Sequence, residues 1–203
     1  LWIPVLHPEM RIAPPYREWT FSGDITRMPE FCAPALGNKP NVVTITADVP
    51  PNANGVLYKL GGCAGGLTCF VEDGILCYEY NLFIVQRTKI RAKEKLPTGR
   101  VTIGIETAYA ELRPAGPLDI TITVNGKRFA EGRVPISAPL LFTANDCLDI
   151  GVALGSPVSL DYYDKAPFKF NGTIDQVTVA YKPSSKPAEA AAPPRAETQV
   201  AAR

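Results

Sequence analysis

Apolar and polar residues alternate through most of the middle of the chain. Val43, Ile45, Ala47 and Val49 interleave with Thr44, Thr46 and Asp48. That is the period of a strand with one face in a core. The same period predicts a strand whose inward face is Val101, Ile103, Ile105, Thr107 and Tyr109. Two tight turns then set hairpins. With Asp73-Gly74 as a two-residue loop, Glu72 faces Ile75, Val71 faces Leu76, Phe70 faces Cys77 and Cys69 faces Tyr78. Leu67, Cys69, Val71, Leu76, Tyr78 and Tyr80 share the predicted core face. Thr68, Phe70, Glu72, Ile75, Cys77 and Glu79 share a mixed face. Asn125-Gly126 likewise pairs Val124 with Lys127 and Ile122 with Phe129. Shorter strands are expected at 19–22, 55–60, 87–91, 140–143 and 148–151, with a charged turn at 93–99 and a long loop at 152–169. The glycines of Gly61-Gly62-Cys63-Ala64-Gly65-Gly66 predict a bend where two strands pass closely. Short β-rich runs separated by turn residues predict an all-β, antiparallel two-sheet sandwich.

Composition divides the chain into three parts. Residues 1–41 hold seven prolines, among them Pro14, Pro15 and Pro29, and the aromatics Trp2, Tyr16, Trp19, Phe21 and Phe31. Proline excludes long helices there, and the aromatics argue for an extended segment lying on a folded surface. Residues 42–182 are the expected sandwich domain. Residues 183–203 are rich in Ala and Pro and lack aromatics, so a disordered tail is expected. The 203 residues, 46% hydrophobic, suffice for one domain with a sizeable core. Twenty-one basic against twenty acidic residues leave a formal net charge of +1, which gives no overall electrostatic footprint for nucleic acid. No apolar run reaches membrane-spanning length. LWIPVLHPEM does not read as a secretory signal, and the compartment stays open.

Chemistry-bearing residues are sparse. The only histidine is His7, and the five cysteines, at 32, 63, 69, 77 and 147, form no C-x-x-C pair. That argues against a zinc site. In the derived register Cys69 and Cys77 sit on opposite faces and do not bond. A Cys63 disulfide with Cys69 or Cys147 stays open, while the odd count and uneven spacing favour free, buried thiols. Ser156 and Ser159 lack a G-x-S-x-G setting. The strongest candidate cluster is Asp161, Tyr162, Tyr163 and Asp164, since aromatics beside carboxylates can stack on sugar rings and accept their hydroxyl hydrogens. The competing expectation is that both tyrosines pack the long loop onto the sandwich.

The ending Phe170-Asn171-Gly172-Thr173-Ile174-Asp175-Gln176-Val177-Thr178-Val179 resembles the last strand of laminin-G/concanavalin-like jelly rolls. A wider set of segments occurs in one order. They are Pro15-Tyr16-Arg17-Glu18-Trp19-Thr20-Phe21, Thr26-Arg27-Met28-Pro29-Glu30, Gly65-Gly66-Leu67, Tyr78-Glu79-Tyr80-Asn81, Phe142-Thr143-Ala144-Asn145-Asp146 and Gly155-Ser156-Pro157-Val158-Ser159. Together they resemble the C-terminal region of bacterial arylsulfatase-type sulfatases. The resemblance implies a non-catalytic accessory domain packed on a sulfatase catalytic domain, which would be its partner. It also implies sulfate-ester hydrolysis with Ca²⁺ in the parent enzyme. The formylglycine motif of such enzymes, C/S-x-P-x-R, is only partly matched by Cys32-Ala33-Pro34-Ala35-Leu36, because Leu36 stands in the Arg position. Some jelly rolls of this type bind Ca²⁺, and Asn145, Asp146 and Asp149 are the oxygen donors to consider. The alternative expectation is a carbohydrate-binding module using the loops at 145–164, with a glycan as partner.

Overall fold

The computed structural model describes residues 16–183 except 24, 112 and 144. The expected tail from 184 onward, and His7, lie outside the described residues. Among the described residues, twelve strands form two six-stranded antiparallel sheets. In chain order they are β1 (Glu18–Phe21), β2 (Met28–Pro29), β3 (Asn41–Val49), β4 (Gly55–Gly62), β5 (Gly65–Glu72) and β6 (Ile75–Leu82). Then come β7 (Gln86–Lys95), β8 (Gly99–Tyr109), β9 (Leu118–Val124), β10 (Lys127–Val134), β11 (Cys147–Ile150) and β12 (Thr173–Tyr181). Sheet A runs β1-β12-β3-β8-β9-β10 and sheet B runs β2-β11-β4-β5-β6-β7. The chain is therefore an all-β, two-sheet antiparallel sandwich, as its alternating pattern predicts.

Register explains the core. In sheet A, Val179, Val43, Ile105 and Ile122 line up across four strands, and Val177, Ile45, Ile103 and Val124 form the next row. In sheet B, Ile150, Tyr58, Cys69, Tyr78 and Ile90 form one row. These rows face one another as a single buried cluster. Each fully buried Val, Ile or Leu contributes about 1.5–3 kcal/mol, so the rows supply the main stabilisation. Tyr80 crosses the core to donate to the Gly37 carbonyl at 2.7 Å and to accept from the Ala138 amide at 2.7 Å. Burial holds its phenol above the ordinary range.

Residues 1–15 lie outside the described residues, and the described part of the N-terminal segment belongs to both sheets. β1 pairs with β12 and β2 pairs with β11. Residues 18–29 thus step from the edge of one sheet to the edge of the other. Phe21 is in the core, and Trp19 packs edge-on against Tyr181 with centroids 4.8 Å apart.

The hairpin around Asp73-Gly74 has the expected register throughout. The second hairpin does not. Val124 faces Lys127, but Ile122 faces Ala130, because a bulge between Arg128 and Ala130 takes Phe129 out of the ladder. β7 is also longer than expected and takes in Lys93 to Lys95, so the start of the expected charged turn is strand. Residues 140–143 are not a strand. The expected glycine bend is a hairpin. Gly61, at φ +86°, lies so close to β5 that an added Cβ would come within 2.3 Å of the Gly65 carbonyl oxygen. At the side of the sandwich, Gly132 of β10 makes room for Ile90 of β7. All five cysteines are free. Cys69 and Cys77 are buried, but Cys32 and Cys63 are exposed and Cys147 is half-buried. The expectation of buried thiols thus fails for Cys32 and Cys63, which sit at turns.

Candidate functional site

The outer face of sheet B carries a polar row in register. Asp149, Lys59, Thr68, Glu79 and Lys89 stand opposite one another on β11, β4, β5, β6 and β7. On most sandwiches such a row faces water. Here residues 151–169 fold back across it as a strap, and Lys59, Thr68, Glu79 and Asp149 are buried. Burying charge is tolerable only when it is paired and hydrogen-bonded. Lys59 Nζ lies 3.3 Å from Asp149 Oδ2 and donates to the Gly61 carbonyl at 3.1 Å. Asp149 also accepts from the Arg27 amide at 2.7 Å and the Leu154 amide at 3.0 Å. Ser159 Oγ donates to Glu79 Oε2 at 2.5 Å, and Arg87 donates to Glu79 Oε1 at 2.9 Å and to the Val158 carbonyl at 2.6 Å.

The strap ends in a 3-10 segment, Leu160–Lys165, capped by Ser159, whose hydroxyl accepts from the Asp161 amide at 3.1 Å. Tyr162 drives inward and is 0% exposed. Its ring stacks on Phe168 at 5.4 Å and meets Phe70 edge-on at 5.2 Å, within a second cluster that includes Val56, Cys77 and Ala153. Its hydroxyl donates to Thr68 Oγ1 at 3.1 Å. Burial pushes the phenol up to about 12, against the partial offset of that hydrogen bond. Tyr162 is therefore a plug under the strap and has no face to offer a sugar. Tyr163, one residue on, is 60% exposed, and Leu160 is 62% exposed.

The remaining candidates divide in the same way. Asp161 Oδ2 receives Lys89 Nζ at 2.6 Å. Asp164 is exposed. Lys165 reaches Glu72 at 2.8 Å, and Arg91 reaches the other Glu72 oxygen at 3.0 Å. The Lys165 hydrogen bond is the main reason the Glu72 carboxyl is held below its ordinary value. Partial burial acts against that shift, and the Arg91 hydrogen bond adds to it.

Asn145, Asp146 and Asp149 do not share a task. Asp149 is committed to Lys59, Asn145 is exposed, and both Asp146 oxygens accept from Ser156 Oγ at 3.2 Å. Among the described residues no group of three or more His, Cys, Asp or Glu is placed to hold a metal ion. Near Asp146, Glu30 accepts from the Phe142 and Thr143 amides at 2.8 and 2.9 Å. Burial raises its carboxyl despite those bonds. Cys32 is exposed at a turn closed by its own amide on the Pro29 carbonyl, and Leu36 is buried in the core.

Two features of this face were not anticipated. One is the burial of the polar row. The other is the extension through Lys95 of the strand expected at 87–91, whose sequence signal was the Lys or Arg at every second position from Arg87 to Lys95.

No protein-family model matches the chain, and no curated protein sequence matches it. Solved structures do. The mouse laminin alpha1 chain, domains LG4-5, superposes with a TM-score of 0.52 at 17% identity, covering 81% of this chain and 42% of that one. The structure titled "NanB plus Optactamide" gives a TM-score of 0.52 at 13% identity, covering 79% and 26%. A weaker likeness, TM-score 0.44 at 11% identity, is to the Caenorhabditis elegans galectin LEC-6. The chain spans less than half the length of the laminin and NanB chains. No comparison links it to arylsulfatases. At these identities the likeness establishes the architecture, a laminin-G-like jelly-roll sandwich, and leaves the ligand to be read from the surface chemistry.

Proposed function

We propose that this chain is a non-catalytic, carbohydrate-binding β-sandwich module whose ligand contact is the 160–165 ridge. The observation that carries the reading is the exposure of Tyr163 on a segment that is itself immobilised. Tyr162 is buried beneath it, Ser159 is bonded to Glu79 on one side, and Lys165 is bonded to Glu72 on the other. An aromatic face fixed in this way costs little ordering entropy on binding. Asp164 beside it supplies carboxylate oxygens to accept hydroxyl hydrogens. This keeps the sugar-binding expectation and narrows its stacking face from the two tyrosines to Tyr163.

Titration calorimetry against a panel of oligosaccharides tests it. Tyr163→Ala is expected to abolish binding or weaken it at least about tenfold, a loss of about 1.4 kcal/mol. Tyr162→Phe is expected to leave affinity unchanged. Binding that survives Tyr163→Ala unaltered would refute the proposed contact.

The segments resembling the arylsulfatase C-terminal region support a second reading, an accessory domain that docks on a sulfatase catalytic domain. One structural observation favours it. Tyr16 and Phe31, on the N-terminal segment, are 65% and 60% exposed, so aromatic surface is available where the two parts would meet. A C/S-x-P-x-R domain, upstream in the same polypeptide or in a separate chain that this one binds, is the expected finding, and the absence of both would remove this reading.

A further inference from the structure

The near-zero net charge conceals a local asymmetry. β7 reads QRTKIRAKEK, with five cations and one acid. Arg87, Lys89 and Arg91 stand opposite Asn81, Glu79 and Cys77, on the outer face of sheet B. Beyond Arg91 the register shifts, and Lys95 returns opposite Ile75 on that face, with Lys93 in the irregular stretch between. Successive same-face residues of a strand lie about 6.8 Å apart. Ile90 and Ala92 point the other way and are buried, which fixes the facing of the cations between and beside them.

Acids are interleaved with this row and match it in number, but their ion pairs go to Arg87, Lys89 and Arg91 and leave out Lys93 and Lys95. Glu79 is buried and serves both Arg87 and Lys89. Asp161 pairs with Lys89, and the single carboxylate of Glu72 is shared by Arg91 and Lys165. Asp73 and Asp164 lie near Lys165. Lys93 and Lys95 are exposed and have no ion pair among the described residues. β7 is the terminal strand of its sheet. Tyr163 sits between Asp161, which holds Lys89, and Lys165, which meets Arg91 through Glu72. The aromatic ridge and the cation row are therefore side by side.

We infer that the ligand of this module is an anionic polysaccharide, bearing sulfate or carboxylate groups, that lies along β7 with one ring on Tyr163. The inference rests on the carbohydrate reading above. A single-stranded nucleic acid fits less well, because successive bases need successive aromatic platforms and β7 carries no aromatic residue.

The test titrates heparin, dextran and a single-stranded oligodeoxynucleotide into the whole chain, Lys93→Gln/Lys95→Gln and Tyr163→Ala. Glutamine keeps the Cβ and Cγ methylenes that Lys95 lays over Gly74, and thermal melting confirms that each variant folds. Heparin is expected to bind the whole chain and to weaken with added salt. The double substitution is expected to weaken it about tenfold. Heparin affinity unmoved by the double substitution would overturn the placement on β7. Dextran bound as tightly as heparin would overturn the anionic assignment and leave the Tyr163 site standing. Oligonucleotide binding as tight as heparin, and lost in the double variant, would overturn the choice of a glycan. Absence of binding to either polysaccharide and to the oligosaccharide panel would overturn this inference and the carbohydrate reading together.

Discussion

At the scale of single residues, the two adjacent tyrosines show how position divides like side chains into different roles. Tyr162 and Tyr163 share one dipeptide and the same flanking aspartates, but only Tyr162 meets Phe70, Phe168 and Thr68. Removing its ring leaves a cavity in a buried aromatic cluster. Tyr162→Ala is expected to cost about 3–5 kcal/mol of stability, whereas Tyr162→Phe removes one hydrogen bond, worth about 1 kcal/mol. Urea denaturation of both variants checks this. Equal, small losses would mean that the strap contributes little to the folded state. The sequence could not separate the two residues, because nothing local distinguishes them. Their fates are decided by Thr68 and Phe70, more than ninety positions earlier in the chain.

At the scale of elements, the strap is held by charged contacts at its C-terminal end, and these respond to pH. The Glu72 carboxyl lies below its ordinary value of 4.5, chiefly through the Lys165 hydrogen bond. The folded state therefore binds fewer protons at this site than the unfolded chain does. The latch contributes stability above the ordinary value and loses it as pH falls through the depressed folded value. Protection factors of residues 160–165, with the acid slowing of intrinsic exchange divided out, are expected to fall over that acidic window. Glu72→Gln is expected to show fast exchange at neutral pH and a flatter profile. A profile identical to that of the unaltered chain would show that Glu72 does not hold the strap. Elements were legible in the sequence to the extent that their determinants were local. Asp73-Gly74 set one register correctly because the turn alone decides it. Asn125-Gly126 set only the first pairs of the other, because the bulge at Phe129 answers to packing across the sandwich. Thr68 and Glu79 read as part of a mixed face, and nothing local joins them to Asp149, Lys59 and Lys89 as one row. Its burial depends on a loop that returns from far along the chain.

At the scale of the whole molecule, the sandwich provides two different outer faces. Sheet B is covered by the strap, sealed by Tyr162 and bordered by the cations of β7. On sheet A, β8 and β9 carry an outward face of Thr102, Glu106, Thr121 and Thr123. The architecture places the ridge and β7 together on sheet B, so a ligand using both should leave sheet A undisturbed. Amide chemical-shift mapping during titration with the oligosaccharide panel tests this most directly. The account predicts shifts concentrated in residues 160–165 and in the facing parts of β6 and β7, lost in Tyr163→Ala. Shifts confined to β8 and β9, or no shifts with any member of the panel, would contradict it.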